Sequence, residues 1–461
     1  MNAATEFLLN AATKSADLGH RRILRKNMDH YEVRLAEGMA RFANWDAARD
    51  RCAAIKRDAI ENLGTYLLQF EAKVKERGGH VFWAETSEDA RQYVTDLAKA
   101  RGVKSVVKSK SMVTEEIHLL HALEAIGCQV LETDLGEYIV QLRNEPPYHI
   151  VTPAMHLTRK EIYETFREKL SGVTSDDPVH LVSIARRVMR EAFFSAEMGI
   201  SGANFLVADT GMIALTTNEG NARLGTALPK IHVVVTGIEK VVPRMRDLGI
   251  LWPTLAGAAT GQSLSAYNTL IGGSRLPGEV GGPEEFHVVL VDNGRSELLA
   301  DVEQREVLQC IRCGACLNNC PVYRHIGGHA YGTTYQGPVG SVITPHFRGH
   351  EFDHLSYASS LCGACTAGCP VKIELHHHLL RNRRNSVEAS KHPFAEKAAF
   401  RVWRWMMMRS SRFSILAGLG RKLASLMKGS ALDPMKKWTE YREAPAMPRK
   451  SFRQMWRDGD V

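Results

Sequence analysis

Hydrophobic and polar residues follow two different periods along the chain. Residues 1 to about 70 are rich in Ala, Arg, Glu and Leu, with few Gly and no Pro, and this composition predicts helices. From Gly79 onward, short apolar runs alternate with amphipathic stretches, beginning with the strand-like HVFWAE and the helix-like SEDARQYVTDLAKARG. Alternation of this kind predicts an α/β fold with a doubly wound, mainly parallel sheet.

The alternation continues to about Asp301. VKSVVK and CQVLETD resemble strands, TEEIHLLHALEAIG and GEYIVQLR resemble helices, and residues 179–198 form one more helix before the strand candidates ANFLVAD, GMIALTT, IHVVVTG and FHVVLVD. The chain therefore divides into a helical N-terminal segment (1–70), an α/β domain (71–301), a compact cysteine-rich module (302–380) and a C-terminal region (381–461).

The net charge of +8 is concentrated at the C-terminal end. Residues 381–461 contain 19 Lys and Arg against 7 Asp and Glu, together with four of the seven Trp. A basic stretch rich in Trp and Met packs on its own protein, docks on a partner protein, or lies on an anionic membrane surface. No nucleic-acid motif accompanies the charge, so nucleic acid is not expected as a partner.

The rest of the sequence favours a cytoplasmic protein. No apolar run approaches the roughly 18–20 residues that span a bilayer. The N-terminus lacks the basic-then-apolar order of a signal peptide. One form of membrane association stays open, which is peripheral contact of the basic tail with the inner membrane surface.

Nine cysteines occur, and seven of them lie between residues 310 and 369. Cys52 and Cys128 stand alone and are expected to be core thiols. Such clustering in a chain without an export signal favours metal binding over disulfides.

The first cysteine run has the spacing of bacterial ferredoxins. It reads C-x2-C-x2-C-x3-C-P, with thiols at Cys310, Cys313, Cys316 and Cys320. Three thiolates two residues apart let one tight loop hold three corners of a cubane cluster. The fourth cysteine, before the proline, turns away and binds the other cluster.

The second run repeats this pattern without its first cysteine. It contains Cys362, Cys365 and Cys369, and Ser359 stands where the missing cysteine would be. By the crossover rule, cluster 1 takes Cys310, Cys313, Cys316 and Cys369, and cluster 2 takes Cys320, Cys362 and Cys365.

The fourth ligand of cluster 2 is open at this point. The Ser359 hydroxyl, a water, a partner residue or substrate would complete a [4Fe-4S] cluster, and loss of the corner iron would leave [3Fe-4S]. A structural zinc site is the alternative to iron. Zinc takes four ligands in a closed tetrahedron, which does not require two loops that each end in Cys-Pro and exchange their last cysteine. We therefore predict two iron–sulfur clusters that transfer one electron at a time.

Several polar segments lie at strand ends of the α/β domain, where they either let the backbone approach a ligand or close turns. The segments VKSKSM, ADTG, NEGN-x-RL, LPK-x-H, GIEK, ATGQ, GPEEFH and DNGR precede the two cysteine runs. Taken together over roughly residues 20–450, this order resembles the lactate-utilisation protein B family. The serine in SSLCGAC is also similar to that family's own form.

The resemblance implies a function that spacing alone does not show. Members of this family work with two companion proteins, one of them cysteine-rich, to oxidise L-lactate to pyruvate. The resemblance also implies a lactate-utilisation domain, similar to the sheet of sugar isomerases and CoA transferases.

Four residues are candidates for lactate chemistry. A cation would hold the substrate carboxylate, for which Lys108, Lys110 and Arg223 are candidates. Glu219 is a candidate for the base that removes the hydroxyl proton. The alternative is a non-catalytic electron conduit and assembly scaffold, with lactate oxidised on a companion.

Overall fold

The structure is a computed structural model that describes residues 2–389, 394–427 and 450–460, together with the isolated positions 430, 433, 436, 439 and 443. It divides into two compact units, Met1–Ser386 and Val387–Val461.

Four helices occupy the N-terminal part of the first unit. They are α1 (Ala3–Ala16), α2 (Leu18–Ala40), α3 (Trp45–Glu61) and α4 (Leu63–Glu76). Asp17 caps α2, since its side chain accepts a hydrogen bond from the His20 N–H at 2.9 Å. Cys52 on α3 is fully buried, with its sulfur 3.4 Å from the Thr254 hydroxyl, so it is a core thiol as predicted.

Ten strands lie within the described residues. They are β1 (His80–Ala84), β2 (Ser105–Lys108), β3 (Gln129–Glu132), β4 (Met198–Ser201), β5 (Phe205–Val207), β6 (Met212–Thr217), β7 (Ile231–Gly237), β8 (Val241–Val242), β9 (Tyr267–Ile271) and β10 (Glu285–Val291).

Six of these strands form one parallel sheet in the order β1-β10-β7-β4-β2-β3. Both faces of this sheet are covered. On β7, Val233 and Val235 belong to one hydrophobic cluster, whereas Val234 between them belongs to another. Because successive side chains of a strand point to opposite faces, the doubly wound, mainly parallel sheet is confirmed.

Helices connect the strands and continue beyond the sheet. In the α/β part they are α5 (Ser87–Ala100), α6 (Met112–Glu116), α7 (Leu119–Ala125), α8 (Leu135–Leu142), α9 (Arg159–Lys169), α10 (Pro178–Ser195), α11 (Asn221–Ala227), α12 (Leu248–Thr260) and α13 (Arg295–Ala300). Short 3-10 helices span Ile238–Lys240, Met245–Asp247, Arg305–Gln309, His329–Tyr331 and His350–Tyr357.

The remaining strands form a second sheet that the sequence did not predict. Its order is β8-β5-β6-β9, and β5 pairs antiparallel with β6. The predicted strands ANFLVAD and GMIALTT therefore form a hairpin instead of joining the parallel sheet. The hairpin turn uses Gly211 at φ 66°, a backbone conformation that favours glycine.

Two helix predictions were wrong in their extent. The helix predicted over 179–198 ends at Ser195, and Met198–Ser201 is strand β4, paired between β2 and β7. A fully buried strand has no polar alternation, so its apolar residues resembled a continuation of the helix. The helix predicted over TEEIHLLHALEAIG is broken by His118, whose φ of 53° separates α6 from α7.

The cysteine-rich part of the first unit is built from short helices. These are α14 (Ala315–Asn318), α15 (Tyr323–Ile326), α16 (Gly337–Arg348), α17 (Ala364–Ala367) and α18 (Leu375–Ala389). Both cysteine runs share one hydrophobic core with α2, α3 and the second sheet, which holds the cysteine-rich part against the α/β part.

The second unit contains α19 (Phe394–Met407), α20 (Ser410–Met427) and α21 (Phe452–Asp458). Large apolar side chains of α19 are exposed, among them Phe400, Trp403 and Trp405. Within the described residues, no helix is both long enough and apolar enough to cross a membrane.

Close packing at β4 gives a stability prediction. A Cβ atom at Gly199 would overlap the carbonyl oxygen of Gly225 on α11, so Gly199→Ala is expected to destabilise the fold by about 1–3 kcal/mol. A Cβ atom added at Gly64 on α4 would meet no other atom within 4 Å, and Gly64→Ala is expected to be neutral or slightly stabilising. Thermal unfolding followed by circular dichroism checks both, and an unchanged midpoint for Gly199→Ala would contradict the packing.

Candidate functional site

The two cysteine loops are structural repeats of each other. Arg312 and Leu361 both have positive φ, at 59° and 55°. Two residues further on, Gly314 and Gly363 have φ of 78° and 79° and begin the short helices α14 and α17. The missing first cysteine of the second run has therefore not changed the backbone of that loop.

Ser359 occupies the position in the second loop that Cys310 occupies in the first. The Cys310 sulfur accepts a hydrogen bond from the Arg312 N–H at 3.4 Å. The Ser359 hydroxyl oxygen accepts the equivalent bond from the Leu361 N–H at 3.1 Å. The serine oxygen thus lies where a thiolate ligand would lie.

Four thiols surround one small cavity. Cys310, Cys313, Cys316 and Cys369 all line a space of about 20 Å³. Cys369 belongs to the second run, so the fold brings it to the first loop in the crossed arrangement that the spacing predicts. Burial raises the pKa of the Cys369 thiol to about 12, and the charge of Cys310 adds to this effect.

The other three thiols form a second group. Burial raises the pKa of Cys365 to about 11, with further contributions from Cys320 and Cys362. Cys362 is exposed, whereas Cys320 and Cys365 are buried. The first group is therefore enclosed by protein, and the second reaches the protein surface.

Both groups fit iron–sulfur clusters. Backbone N–H groups point at the sulfurs: the Tyr323 N–H lies 3.5 Å from the Cys320 sulfur, and the Ile373 N–H lies 3.4 Å from the Cys369 sulfur. Such donors offset the negative charge of a bound cluster, and bound iron would remove the thiol protons that burial otherwise retains.

A pocket of about 410 Å³ adjoins the first group of thiols. Its lining comes mainly from the α/β part and the first cysteine loop, with Tyr31 of α2 and Tyr335 of the cysteine-rich part. Ile150, Arg312 and Cys313 line both this pocket and the smaller cysteine cavity. A molecule in the pocket would therefore lie directly beside cluster 1.

Two cations line the pocket, and only Lys240 is free to bind an anion, because Arg312 already pairs with Glu239 at 3.4 Å. Lys240 is buried and lines the pocket, and its ammonium group has no hydrogen-bond or ion-pair partner within the described part of the chain. Burial, followed by the charge of Arg312, lowers the pKa of Lys240 to about 8, which leaves it mostly protonated at neutral pH. The Nη1 atom of Arg312 is also buried, with no hydrogen-bond partner among the described residues.

Two of the predicted residues reach this pocket. Lys110 lines it, but its ammonium group already donates to the Val151 carbonyl at 2.9 Å and lies 3.5 Å from Asp134. Glu219 also lines it, and its carboxylate accepts a hydrogen bond from the Leu135 N–H at 3.4 Å. Burial raises the pKa of Glu219, and the nearby Asp134 carboxylate raises it further.

The other two predicted residues do not line the pocket. Lys108 is fully buried, with its ammonium group 2.5 Å from Glu132 and 3.0 Å from Glu115, so its charge serves these ion pairs. Arg223 lies over the Tyr267 ring, 5.7 Å from its centroid. The expectation that both contact a substrate carboxylate has no support in these positions.

Sequence reasoning missed Lys240 and Arg312 as site residues. Lys240 lies in the GIEK segment, and Arg312 lies between two cysteines of the first run. The hydrophobic pattern does not distinguish either residue from a solvated cation. Only the packing of the cysteine loop against the end of β7 brings them together.

Comparison with protein families agrees with this organisation. The LUD domain matches residues 67–291, the 4Fe-4S dicluster domain matches residues 306–373, and the C-terminal domain of lactate utilisation protein B matches residues 376–461. The dicluster match covers all seven clustered cysteines, so the chain carries two iron–sulfur clusters.

Relatives extend the likeness to most of the chain. Lactate utilization protein B from Bacillus thuringiensis is 48% identical over 428 residues, covering 90% of this chain and 89% of the relative. The proteins of the same name from Bacillus cereus and Bacillus anthracis give the same values. The chain belongs to the lactate utilisation protein B family. The resemblance to this family is thereby confirmed.

One solved structure is similar to part of the chain. It is a DUF162 family protein from Deinococcus radiodurans with 16% identity, covering 50% of this chain and 98% of its own, at a TM-score of 0.28. A similarity this low carries no argument about the site.

The crossed arrangement of thiols predicts which variants share a defect. Cys369→Ala is expected to lose the same cluster as Cys313→Ala, although the two residues lie in different runs, because both line the same cavity. Cys320→Ala is expected to lose the other cluster. Electron paramagnetic resonance of the reduced variants distinguishes the two clusters, with Cys128→Ser as a control that keeps both. Matching spectra for Cys369→Ala and Cys320→Ala would contradict the arrangement.

Proposed function

We propose that this protein takes part in the oxidation of L-lactate to pyruvate, as the iron–sulfur component of a multi-protein system. The observation that carries the proposal is the pocket that shares Cys313 and Arg312 with the cavity of cluster 1. Family membership supports lactate as the substrate, and the cations of the pocket support a small anionic ligand.

The oxidation releases two electrons and two protons from each lactate. Each cluster accepts one electron at a time, so two clusters match the electron count. The lactate carboxylate binds the ammonium group of Lys240, which has no other partner in the described part of the chain, and Arg312 adds positive charge while it stays paired with Glu239. Lys110 lies at the same pocket and contributes positive charge while it stays bonded to Val151.

Glu219 acts as the base that takes the lactate hydroxyl proton, and the second proton, from Cα, leaves to water in the pocket. Its carboxylate lines the pocket and is the predicted residue best suited to this role. The raised pKa of Glu219 lies closer to neutral pH, and a carboxylate with a higher pKa is a stronger proton acceptor.

The difference in exposure supports a direction for the electrons. Cluster 1 lies beside the pocket and is bound by Cys310, Cys313, Cys316 and Cys369. Cluster 2 is bound by Cys320, Cys362 and Cys365, of which Cys362 is exposed. Electrons therefore leave through cluster 2 to a companion lactate-utilisation protein. The companions in this system include a cysteine-rich subunit.

Lys240 provides the most direct test of the pocket. Lys240→Met is expected to weaken lactate binding roughly 10- to 100-fold, because a charged hydrogen bond contributes about 1.5–3 kcal/mol. Lactate is added anaerobically to the isolated, oxidised protein, and bleaching of the visible cluster absorbance is recorded as a function of lactate concentration. Arg223→Met is the matched control and is expected to behave like the unaltered protein.

The same experiment tests the conduit alternative. If lactate bleaches the clusters only after companion proteins are added, lactate is oxidised on a companion and this chain serves as conduit and scaffold. Equal lactate dependence of Lys240→Met and Arg223→Met would contradict the assignment of the pocket.

We propose Ser359 as the fourth ligand of cluster 2. Its hydroxyl oxygen occupies the position in the second loop that the Cys310 sulfur occupies in the first. Each atom accepts a hydrogen bond from the backbone N–H two residues further on. Arg383 fixes the loop from outside, since its guanidinium donates to the Ser359 carbonyl at 2.9 Å. Serine oxygen binds iron less strongly than thiolate does, which makes this corner the weakest of the cluster.

Ser359→Ala is expected to convert cluster 2 to a three-iron form. The iron content should fall from about eight to about seven per chain, and the oxidised protein should gain a paramagnetic signal. Ser359→Cys is expected to keep about eight irons. Ser360→Ala is the control, because it removes the neighbouring hydroxyl, which does not lie at the position equivalent to Cys310. An unchanged iron count in Ser359→Ala would show that another group holds the fourth iron.

The second unit supplies a docking surface in this proposal. Helix α19 combines exposed Phe400, Trp403 and Trp405 with Arg401 and Arg404, which suits either an anionic membrane or an acidic companion. We expect companion docking: full-length protein should co-elute with a companion and should not pellet with anionic liposomes. Removal of residues 400–461 should abolish co-elution, and pelleting of the full chain would favour the membrane instead.

A further inference from the structure

A cluster of two histidines and one glutamate lies away from the cysteines and the pocket. Glu145 and His156 are in the segment between α8 and α9 of the α/β part, and His329 is in the 3-10 helix His329–Tyr331 of the cysteine-rich part. All three lie in the first unit. They are each partly buried, and their side chains converge across the junction of the two parts.

The three side chains are close enough to share one ion. One ligand atom from each lies within 4.8 Å of the other two. Two atoms bound to the same tetrahedral zinc ion, at about 2.0–2.1 Å each, are about 3.4 Å apart. Glu145 Oε2 and His156 Nε2 already lie 2.8 Å apart, and His329 would move inward by up to about 1.4 Å to complete the site.

Each histidine retains a nitrogen that can bind metal. His329 Nε2 lies 2.8 Å from the Pro146 carbonyl oxygen, which only accepts hydrogen bonds, so the proton is on Nε2 and the Nδ1 lone pair is free. His156 Nε2 lies 2.8 Å from Glu145 Oε2, and His156 Nδ1 is buried with no partner within the described residues. Because Nε2 is the atom that faces Glu145, a metal shared with Glu145 would bind His156 through Nε2 and leave the ring proton on Nδ1.

The three side chains offer atoms of the kind that metals bind. Two neutral imidazoles and one carboxylate form a ligand set suited to a divalent transition metal.

The surrounding side chains hold these ligands in place. The Arg143 guanidinium donates to Glu145 Oε1 at 2.8 Å, which leaves Oε2 for the cluster. The Tyr148 ring stacks on His156 with its centroid 4.5 Å away and meets His329 edge-on at 4.9 Å. Outer contacts of this kind orient the ligands of metal sites.

We propose that Glu145, His156 and His329 form a binding site for one divalent zinc-type ion that links the α/β part to the cysteine-rich part. The segment that carries Glu145 and His156 also carries Ile150, which lines both the pocket and the cavity of cluster 1. The ion would fix this segment, and with it the contact between pocket and cluster. The proposal does not depend on lactate as the substrate.

Equilibrium dialysis against zinc tests the site. Anaerobically purified protein with both clusters loaded is used, so that the cysteines are occupied by iron. We expect one zinc ion per chain, and we expect His156→Asn and His329→Asn to bind it at least about tenfold more weakly. His325→Asn is the matched control, because His325 is exposed and close to His329 in the chain.

X-ray absorption at the zinc edge shows which atoms bind. Nitrogen and oxygen neighbours at about 2.0–2.1 Å are expected, with no sulfur at about 2.3 Å. Sulfur neighbours would place the zinc on cysteine and overturn the proposal. It would also be overturned if the unaltered protein binds no zinc, or if His329→Asn binds as tightly as His325→Asn, since the three side chains would then form a hydrogen-bonded cluster only.

Discussion

The buried carboxylate of Glu239 joins the α/β part to the first cysteine loop. It lies 2.6 Å from Arg295, which is fully buried beside β10, and 3.4 Å from Arg312 of the cysteine loop. Burial would raise the pKa of Glu239, but Arg295 and then Arg312 lower it to about 2. The ammonium group of Lys56 holds the backbone on both sides of Lys240, since it donates to the carbonyls of Glu239 and Val241 at 2.7 and 3.1 Å. Breaking a buried, charged network of this kind leaves unpaired charges at high cost, so the network fixes the position of the loop.

The functional arrangement follows from this junction. With Arg312 held by Glu239 and stacked on the Tyr335 ring at 4.5 Å, the adjacent Cys313 has the pocket on one side and the cysteine cavity on the other. Positive charge at Lys240 and Arg312 favours an anion in the pocket and also offsets the charge of the neighbouring cluster. In the proposed function, the same two cations link substrate binding to the redox state of cluster 1. The exposed Cys362 places the second group of thiols nearer to solvent.

What the sequence could predict depended on the range of the interaction. The grouping of thiols followed from local spacing. The first three cysteines of C-x2-C-x2-C-x3-C-P bind one cluster, and the fourth binds the other cluster. The strands at β7 and β10 were recognisable as apolar runs, whereas β4 was not, because four buried residues after a helix have no period of their own. The cations of the pocket could not be assigned: Lys108 and Lys240 look alike in sequence, and only the fold pairs the first with Glu132 and places the second at the pocket.

The central claim is that lactate binds next to cluster 1, and one spectroscopic measurement tests it directly. Protein reduced with dithionite cannot oxidise lactate, so lactate labelled with ¹³C at the carboxylate stays intact while cluster 1 is paramagnetic. Electron–nuclear double resonance should then detect a ¹³C hyperfine coupling to cluster 1, and this coupling should disappear when the Lys240 ammonium group is removed. Absence of any ¹³C coupling at saturating lactate would contradict the account, because the pocket beside Cys313 would then not be the lactate site.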